Sequence, residues 1–259
     1  MISLQNVSHH YGVAPVLRNV SLDIPSGELL TVMGPNGMGK STLLQIAAGI
    51  VHPATGAAVI DGMTRRSSEE AELEIRQRVC YLPDRSWLPG RMTVREYCIE
   101  VGRLYAVPFD ALFDHVSQLL QLFSLERKSE AALATLSQGQ RKKAALCAML
   151  ATEAPILVLD EPFSGGLDPA GIFALRHVLR RLADREDVTI LMATPVPELV
   201  EAVSHRVAIM RDGEIIAHDT IAVLRSRGGG ESLEKSLDAI VHTETNEAVQ
   251  TYFAAREAA

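Results

Sequence analysis

The spacing of apolar and polar positions along this chain changes repeatedly, and each change predicts an element. Residues 17–24 alternate, with Leu17, Val20, Leu22 and Ile24 on the apolar side, the period of a half-buried strand. Pro25-Ser26-Gly27 is a turn signal, and Glu28 to Met33 is a mostly apolar run that reads as the next strand. The first 35 residues therefore predict strands joined by turns. A glycine-rich loop follows and opens a helix from about Lys40 to Ala48. Strand, loop and helix in this order belong to an α/β core.

From about Ser68 to Glu153 the pattern becomes helical. Thr93 followed by Glu96 is a capping box, and it predicts a helix to about Tyr105. A second helix is expected from Asp110 to Leu122, with Leu112, Phe113, Val116, Leu119 and Leu120 on its apolar face. A third should begin at Ser137. The stretch reads as a helical subdomain, about 84–153, inserted into the core.

The α/β pattern then returns. Ile156 to Leu159 predicts a short buried strand, and Asp168-Pro169 supplies an N-cap and a first-turn proline. Ile172, Leu175, Val178, Leu179 and Leu182 form the stripe of the next helix, and Val188 to Ala193 reads as another strand. Asp212-Gly213, between Arg206–Met210 and Glu214–Ala217, is a hairpin signal. The expected division is a main domain over 1–220 and a helical extension over 221–259. Gly228-Gly229-Gly230 precedes the tail, where Leu233, Leu237, Ile240 and Val241 are spaced as a helical stripe.

Composition narrows the function. At 259 residues the chain is long enough for one large domain, or one with a subdomain. A hydrophobic fraction of 47% provides a core, and a net charge of -7 argues against a broad nucleic-acid surface. Cys80, Cys98 and Cys147 lack metal-ligand spacing and read as buried reduced thiols. The start, Met1-Ile2-Ser3-Leu4, does not read as a signal peptide, and no apolar run has the length of a membrane span. A membrane role would have to come through a partner.

The chemistry is concentrated in a few segments. Gly34-Pro35-Asn36-Gly37-Met38-Gly39-Lys40-Ser41-Thr42 matches G-x-x-x-x-G-K-[ST], after a predicted strand and at the start of a helix. Its glycines let backbone N–H groups turn inward as an anion nest, with the positive end of the helix behind them. Lys40 is placed for the β- and γ-phosphates of ATP, and the Ser41 hydroxyl for Mg²⁺. Ile156-Leu157-Val158-Leu159-Asp160-Glu161 is an apolar strand ending in two acids. Asp160 is expected to hold Mg²⁺ through water, and Glu161 to orient or deprotonate the attacking water.

Leu136-Ser137-Gln138-Gly139-Gln140, taken alone, is a capping box. With the two preceding motifs it resembles the LSGGQ signature of ABC transporter ATPases, and the order of motifs over about residues 2–220 agrees. The resemblance implies two chains packed head to tail around two ATP molecules. Ser137 and Gly139 would contact the nucleotide held by the partner chain, and Tyr11 would stack on adenine. Asp168, after Gly166-Leu167, would communicate across the interface as well as cap its helix. It also implies transmembrane permease subunits and a cytoplasmic place at the inner face of the membrane, while the net negative charge and the single nucleotide domain weigh against a nucleic-acid partner. The Tyr-Leu-Pro-Asp segment, the glutamine in the signature and Leu233-Glu234 look more like the ABC-2-type export branch.

Three positions depart from the family pattern. Tyr81-Leu82-Pro83 is followed by Asp84 where a glutamine is usual, an acid still able to bind Mg²⁺ or its water. Gln138 replaces the first signature glycine. Pro195 follows Met192-Ala193-Thr194 where a histidine that touches the γ-phosphate is expected, and proline has no donor to offer. His205 lies beyond the next predicted helix and is not expected to substitute. Trp87 and Leu88 are expected either to meet a membrane-protein helix or to tuck against the helical subdomain.

The reading is thus an α/β phosphate-loop NTPase with an antiparallel β portion and an inserted helical subdomain, acting as an ATP hydrolase that energises transport. Two alternatives remain: an ATP-binding dimerisation switch with little hydrolysis, motivated by Pro195, and a non-transport ABC ATPase.

Overall fold

The computed structural model describes residues 1–227 and 232–236. Two sheets organise them. The first is antiparallel, in the order β2-β1-β4-β5, from β1 (Ile2–Tyr11), β2 (Ala14–Ile24), β4 (Thr55–Ile60) and β5 (Met63–Thr64). The second has the order β10-β9-β3-β8-β7-β6. It comprises β3 (Leu29–Met33), β6 (Val79–Leu82), β7 (Ile156–Asp160), β8 (Thr189–Ala193), β9 (Arg206–Arg211) and β10 (Glu214–Thr220). Its strands run parallel except β10, which pairs antiparallel with β9.

Every residue of β3, β7 and β8 is buried, as expected of parallel strands covered on both faces. The two-residue period sorts their side chains. Ile156, Val158, Leu30 and Val32 face a core shared with the antiparallel sheet and with helix α1 (Lys40–Ala48), through Leu43, Leu44, Ile46 and Ala47. Leu157, Leu159, Ile190 and Met192 face the other way, into a core with the helices. α1 is therefore clamped between two sheets, and the loop that precedes it has little freedom.

The helical layer contains α3 (Val94–Leu104), α4 (Phe109–Leu122) and α5 (Gln138–Leu150). α6 (Pro169–Ala183) and α7 (Pro197–Val203) follow β7 and β8, and α2 (Glu69–Arg78) precedes β6. Both expected capping boxes are formed, Thr93 with Glu96 and Ser137 with Gln140. The hairpin at Asp212-Gly213 is present, with both residues at positive φ (51° and 80°) as such a turn requires.

Some expectations need correction. Phe113 is not part of the buried face of α4; it is 48% exposed, with the Arg95 guanidinium 5.0 Å from its ring centre. The pair Trp87-Leu88 divides: Leu88 is buried in the helical core, while Trp87 stands in solvent. His205, as expected, does not substitute for the absent histidine: it lies at the opposite end of the sheet from the acids, where its Nδ1 accepts the N–H of Leu29 at 3.1 Å. Of the tail stripe, Leu233 is fully buried beside Leu224, Val200, Val207 and Ile209. Helix α8 (Ile221–Arg227) provides Leu224. Leu237, Ile240, Val241 and the three glycines lie outside the described residues.

Candidate ATP and magnesium site

The site forms at the carboxyl ends of the parallel strands, where open α/β sheets bind ligands. β3 delivers the phosphate loop there, β7 the two acids, β6 the Asp84 segment, and β8 the Thr194-Pro195 loop.

The loop's shape follows from its glycines. Gly34 (φ 144°) and Gly39 (φ 95°) adopt left-handed backbone and leave no room for a side chain. A Cβ at Gly34 would strike the Met210 carbonyl, and one at Gly39 would stand 2.7 Å from the Val16 carbonyl. Gly37, by contrast, faces open space. The loop is thus pressed against β9 and β2 from behind and open at its rim. Met38 helps to hold it, its Sδ accepting the Asp212 N–H at 3.2 Å. Asn36 lies in the turn before Gly37, and Thr42 is buried in the first turn of α1.

Lys40 is 6% exposed, and its ammonium donates to the Gly34 and Pro35 carbonyls at 2.8 and 2.9 Å. An ammonium has three protons, so one donor is left over by those two bonds. Ser41 Oγ donates to Asp160 Oδ1 at 3.1 Å, joining the phosphate loop to the acidic strand. Asp160 is 3% exposed; burial raises its pKa, as does Asp84, against the Ser41 bond and the lysines at 142 and 40. Glu161 is raised by burial first, then by Asp84 and Asp160. Burial lowers Lys40, and Glu161 and Asp160 oppose that. Acids and ammonium groups are therefore gathered in one poorly solvated patch.

These residues fit magnesium with a nucleotide. Among the described residues no group of three or more His, Cys, Asp or Glu could hold a metal alone. The chain offers one hydroxyl and one carboxylate at Ser41 and Asp160, so phosphate oxygens and water would complete the shell. Magnesium characteristically binds that way.

Glu161 is in the left-handed region, φ 45°, uncommon for a side chain of its size. Its N–H donates to the Ala193 carbonyl at 2.9 Å, tying the end of β7 to β8. Asp84 approaches from β6, where its Oδ1 accepts the Ser164 hydroxyl at 2.5 Å. Asp84 and Glu161 line one cavity of about 450 Å³ with Arg85, Gln138, Arg141 and Lys142. The sequence reading thus brought together Lys40, Ser41, Asp160, Glu161 and Asp84, and the structure does so too.

Tyr11 ends β1 at the hairpin tip, 54% exposed, its ring edge-on to His9 with centroids 4.8 Å apart. The same hairpin packs on the site through Val16, whose carbonyl meets both Gly39 and Gly213. Ser137 and Gln138 are exposed at the start of α5. Gly139 has no room for a Cβ because the Gly166 carbonyl lies against it. Asp168 caps α6, accepting the Gly171 N–H at 2.8 Å, and also pairs with Lys143 at 2.9 Å. After β8, Thr194 is buried and its Oγ1 takes the Val196 N–H at 3.5 Å, so Pro195 presents only a ring.

Sequence reasoning missed Lys142, Lys143 and Ser164. Lys142 is 4% exposed, and its ammonium reaches the carbonyls of Pro83, Asp84 and Glu161 at 3.4, 3.1 and 3.1 Å. A signal existed: residues 144–150 are apolar throughout, so this helix had to be buried on all sides and its lysines partnered.

The comparisons with known proteins agree with this geometry. The ABC transporter family model matches residues 17–164, more than half of the chain. The energy-coupling factor transporter ATP-binding protein EcfA of Methanothermobacter thermautotrophicus is 33% identical over 85% of this chain and 71% of its own length. The Nod factor export ATP-binding protein I of Burkholderia lata is 32% identical, covering 90% of this chain and 75% of its own. The sulfate/thiosulfate import ATP-binding protein CysA of Thermosynechococcus vestitus is 35% identical over 83% of this chain, which spans 62% of that relative. Import and export proteins thus match almost equally, and the export branch expected from the sequence is not singled out.

Among solved structures, an ATP-binding subunit of an ABC transporter superposes with a TM-score of 0.81 at 26% identity, covering 91% of this chain and 97% of that one. A dimeric ATP-binding cassette in a post-hydrolysis state, bound to ADP and Pi, gives 0.76 at 26% identity, covering 85% and 98%. No helix among the described residues is long and apolar enough to cross a membrane. The chain belongs to the ABC transporter family, as an ATP-binding, ATP-hydrolysing subunit that uses magnesium and energises membrane transport.

Proposed function

We propose that this chain works as one of a pair of ATPase subunits, homomeric or heteromeric, beneath transmembrane permease subunits at the cytoplasmic face of the membrane. The observation that carries the reading is the meeting of Lys40, Ser41, Asp160 and Glu161 at one sheet edge. Asn36 to Thr42 bind phosphate through backbone N–H groups, and Tyr11 stacks on the base. Ser41 and Asp160 would hold magnesium, with Asp84 near enough to support its water, and the metal would supply neutralisation of phosphate charge. Glu161, its proton affinity raised, accepts a proton from the attacking water. Residues 1–220 form this catalytic unit, 84–153 its helical subdomain, and 221–259 an extension.

Ser137 and Gly139 serve the nucleotide of the neighbouring subunit, a reading supported by the exposure of Ser137 at a helix N-terminus. Trp87, 84% exposed in the loop after β6, is the contact offered to the permease. Phosphate release by the purified protein, with Glu161→Gln as the inactive control, tests the catalytic assignment. Recovery of a membrane protein bound to the chain tests the partner assignment, and its failure in a Trp87→Ala variant tests the surface.

Pro195 favours a second reading, a subunit that binds ATP but turns it over slowly. A missing donor to developing phosphate charge costs on the order of 10²–10³ in rate. Installing histidine, Pro195→His, is expected to raise kcat; unchanged turnover in a folded, ATP-binding variant refutes that explanation.

A further inference from the structure

We propose that Lys142 is a positioning residue for hydrolysis, fixing the peptide that carries Glu161 by donating to the carbonyls of Pro83, Asp84 and Glu161. The proposal rests on the assignment of Glu161 as the residue that handles the attacking water. Nothing in that assignment requires Lys142, which lies on a different element, α5, and meets no expected ligand.

The geometry is specific. An ammonium group carries three protons, and three carbonyl oxygens lie at 3.4, 3.1 and 3.1 Å from Lys142 Nζ. These oxygens come from two loops, the one after β6 and the one after β7. The side chain is 4% exposed, and its stem lies along Gly165, where a Cβ would stand 3.5 Å from Lys142 Cδ. Gly165 is at φ 79°. The stem is thus packed as well as the head bonded.

Glu161 needs such a restraint because its backbone is in the left-handed region, which is unfavourable for a residue with a side chain of its size. One side of the residue is held by its N–H bond to Ala193. The other is its carbonyl, which accepts from Lys142 Nζ and from the Ser164 N–H at 3.1 Å. With both peptide groups fixed, the Cα–Cβ bond that carries the Glu161 side chain leaves the backbone in one direction. Without Lys142, the three oxygens lose a charged donor in a buried place, and the peptide can relax toward the right-handed region. The phosphate loop shares no bond with Lys142, so nucleotide affinity should survive.

The test is steady-state hydrolysis of Mg-ATP by the full chain, with equilibrium ATP binding measured alongside. In Lys142→Met, matched in length, kcat is expected to fall about tenfold or more while KM and Kd stay within about twofold, since small misplacements of a reacting group are enough for such a loss. Lys142→Arg, which restores charge and donors, is expected to recover at least about threefold of that loss. Should the methionine variant not fold, Lys142→Leu, likewise without a donor, is read in the same way. The proposal is overturned if Lys142→Met keeps wild-type kcat while Glu161→Gln is inactive, if kcat and ATP affinity fall together, or if arginine gives no recovery. Full turnover in Glu161→Gln would instead overturn the assignment on which the proposal rests.

Discussion

At the scale of single residues, buried charge is what distinguishes this site. Lys40 is nearly enclosed, with two protons committed to its own loop, so its charge is directed at whatever fills the nest. Lys40→Ala should abolish tight ATP binding; retained micromolar affinity in an equilibrium titration would contradict the assignment. Asp168 makes a different argument. Its hydrogen bond from Lys143, and then the one from Gly171, lower its pKa. A carboxylate lowered on folding stabilises the protein above its unfolded pKa, and the stabilisation is lost as pH falls through the folded value. Asp168→Ala should therefore cost about 1 kcal/mol or more near neutral pH through the lost cap, leaving Lys143 unpaired. The difference from the parent in denaturant midpoint should shrink as the medium is taken below about pH 4. A gap constant with pH would mean that the carboxylate charge is irrelevant to the cap.

At the scale of elements, helices were easier to read in the sequence than strands. The phosphate loop announced α1 with its observed bounds, and capping boxes announced the starts of α3 and α5. β6 is not legible as a strand, because Val79-Cys80-Tyr81-Leu82 is too short to show a period. β4 escaped for another reason: Gly56, Ala57 and Ala58 are poor strand formers, and pairing with β1 decides their conformation. Phe113 misled because spacing alone placed it with Leu112 and Val116, while Arg95 gave it a partner at the surface. The residues proposed for catalysis and phosphate binding are legible because their motifs are local. Lys142 and Lys143 were not, because their partners lie on other loops. The close packing of α5 on the loop after β7 can be tested directly. A methyl group in Gly139→Ala meets the Gly166 backbone carbonyl, which cannot swing aside as a side chain would. The variant should bind ATP with parental affinity in its own phosphate loop but fail to pair with a second subunit. Normal pairing on a sizing column would contradict this.

For the whole molecule, the phosphate loop and the signature are on different layers, one behind the sheet core with α1, the other at the head of α5. A single copy gathers phosphate ligands at one edge while leaving Ser137 exposed. Association should therefore depend on nucleotide. With Glu161→Gln to prevent turnover, Mg-ATP should shift the protein from one copy to two in solution, and ADP should not. No ATP-dependent change in mass, with the natural partner subunit present, would argue against the shared sites.

The burial of Leu233 has a mechanical side. Its N–H is held by Glu201 Oε1 at 2.6 Å, and its side chain sits with Val200 of α7. That helix starts at Pro197, two positions past the proline that stands where phosphate would be sensed. The segment 232–236 is consequently moored to the helix that follows Pro195, so a pull on that segment would be felt there first.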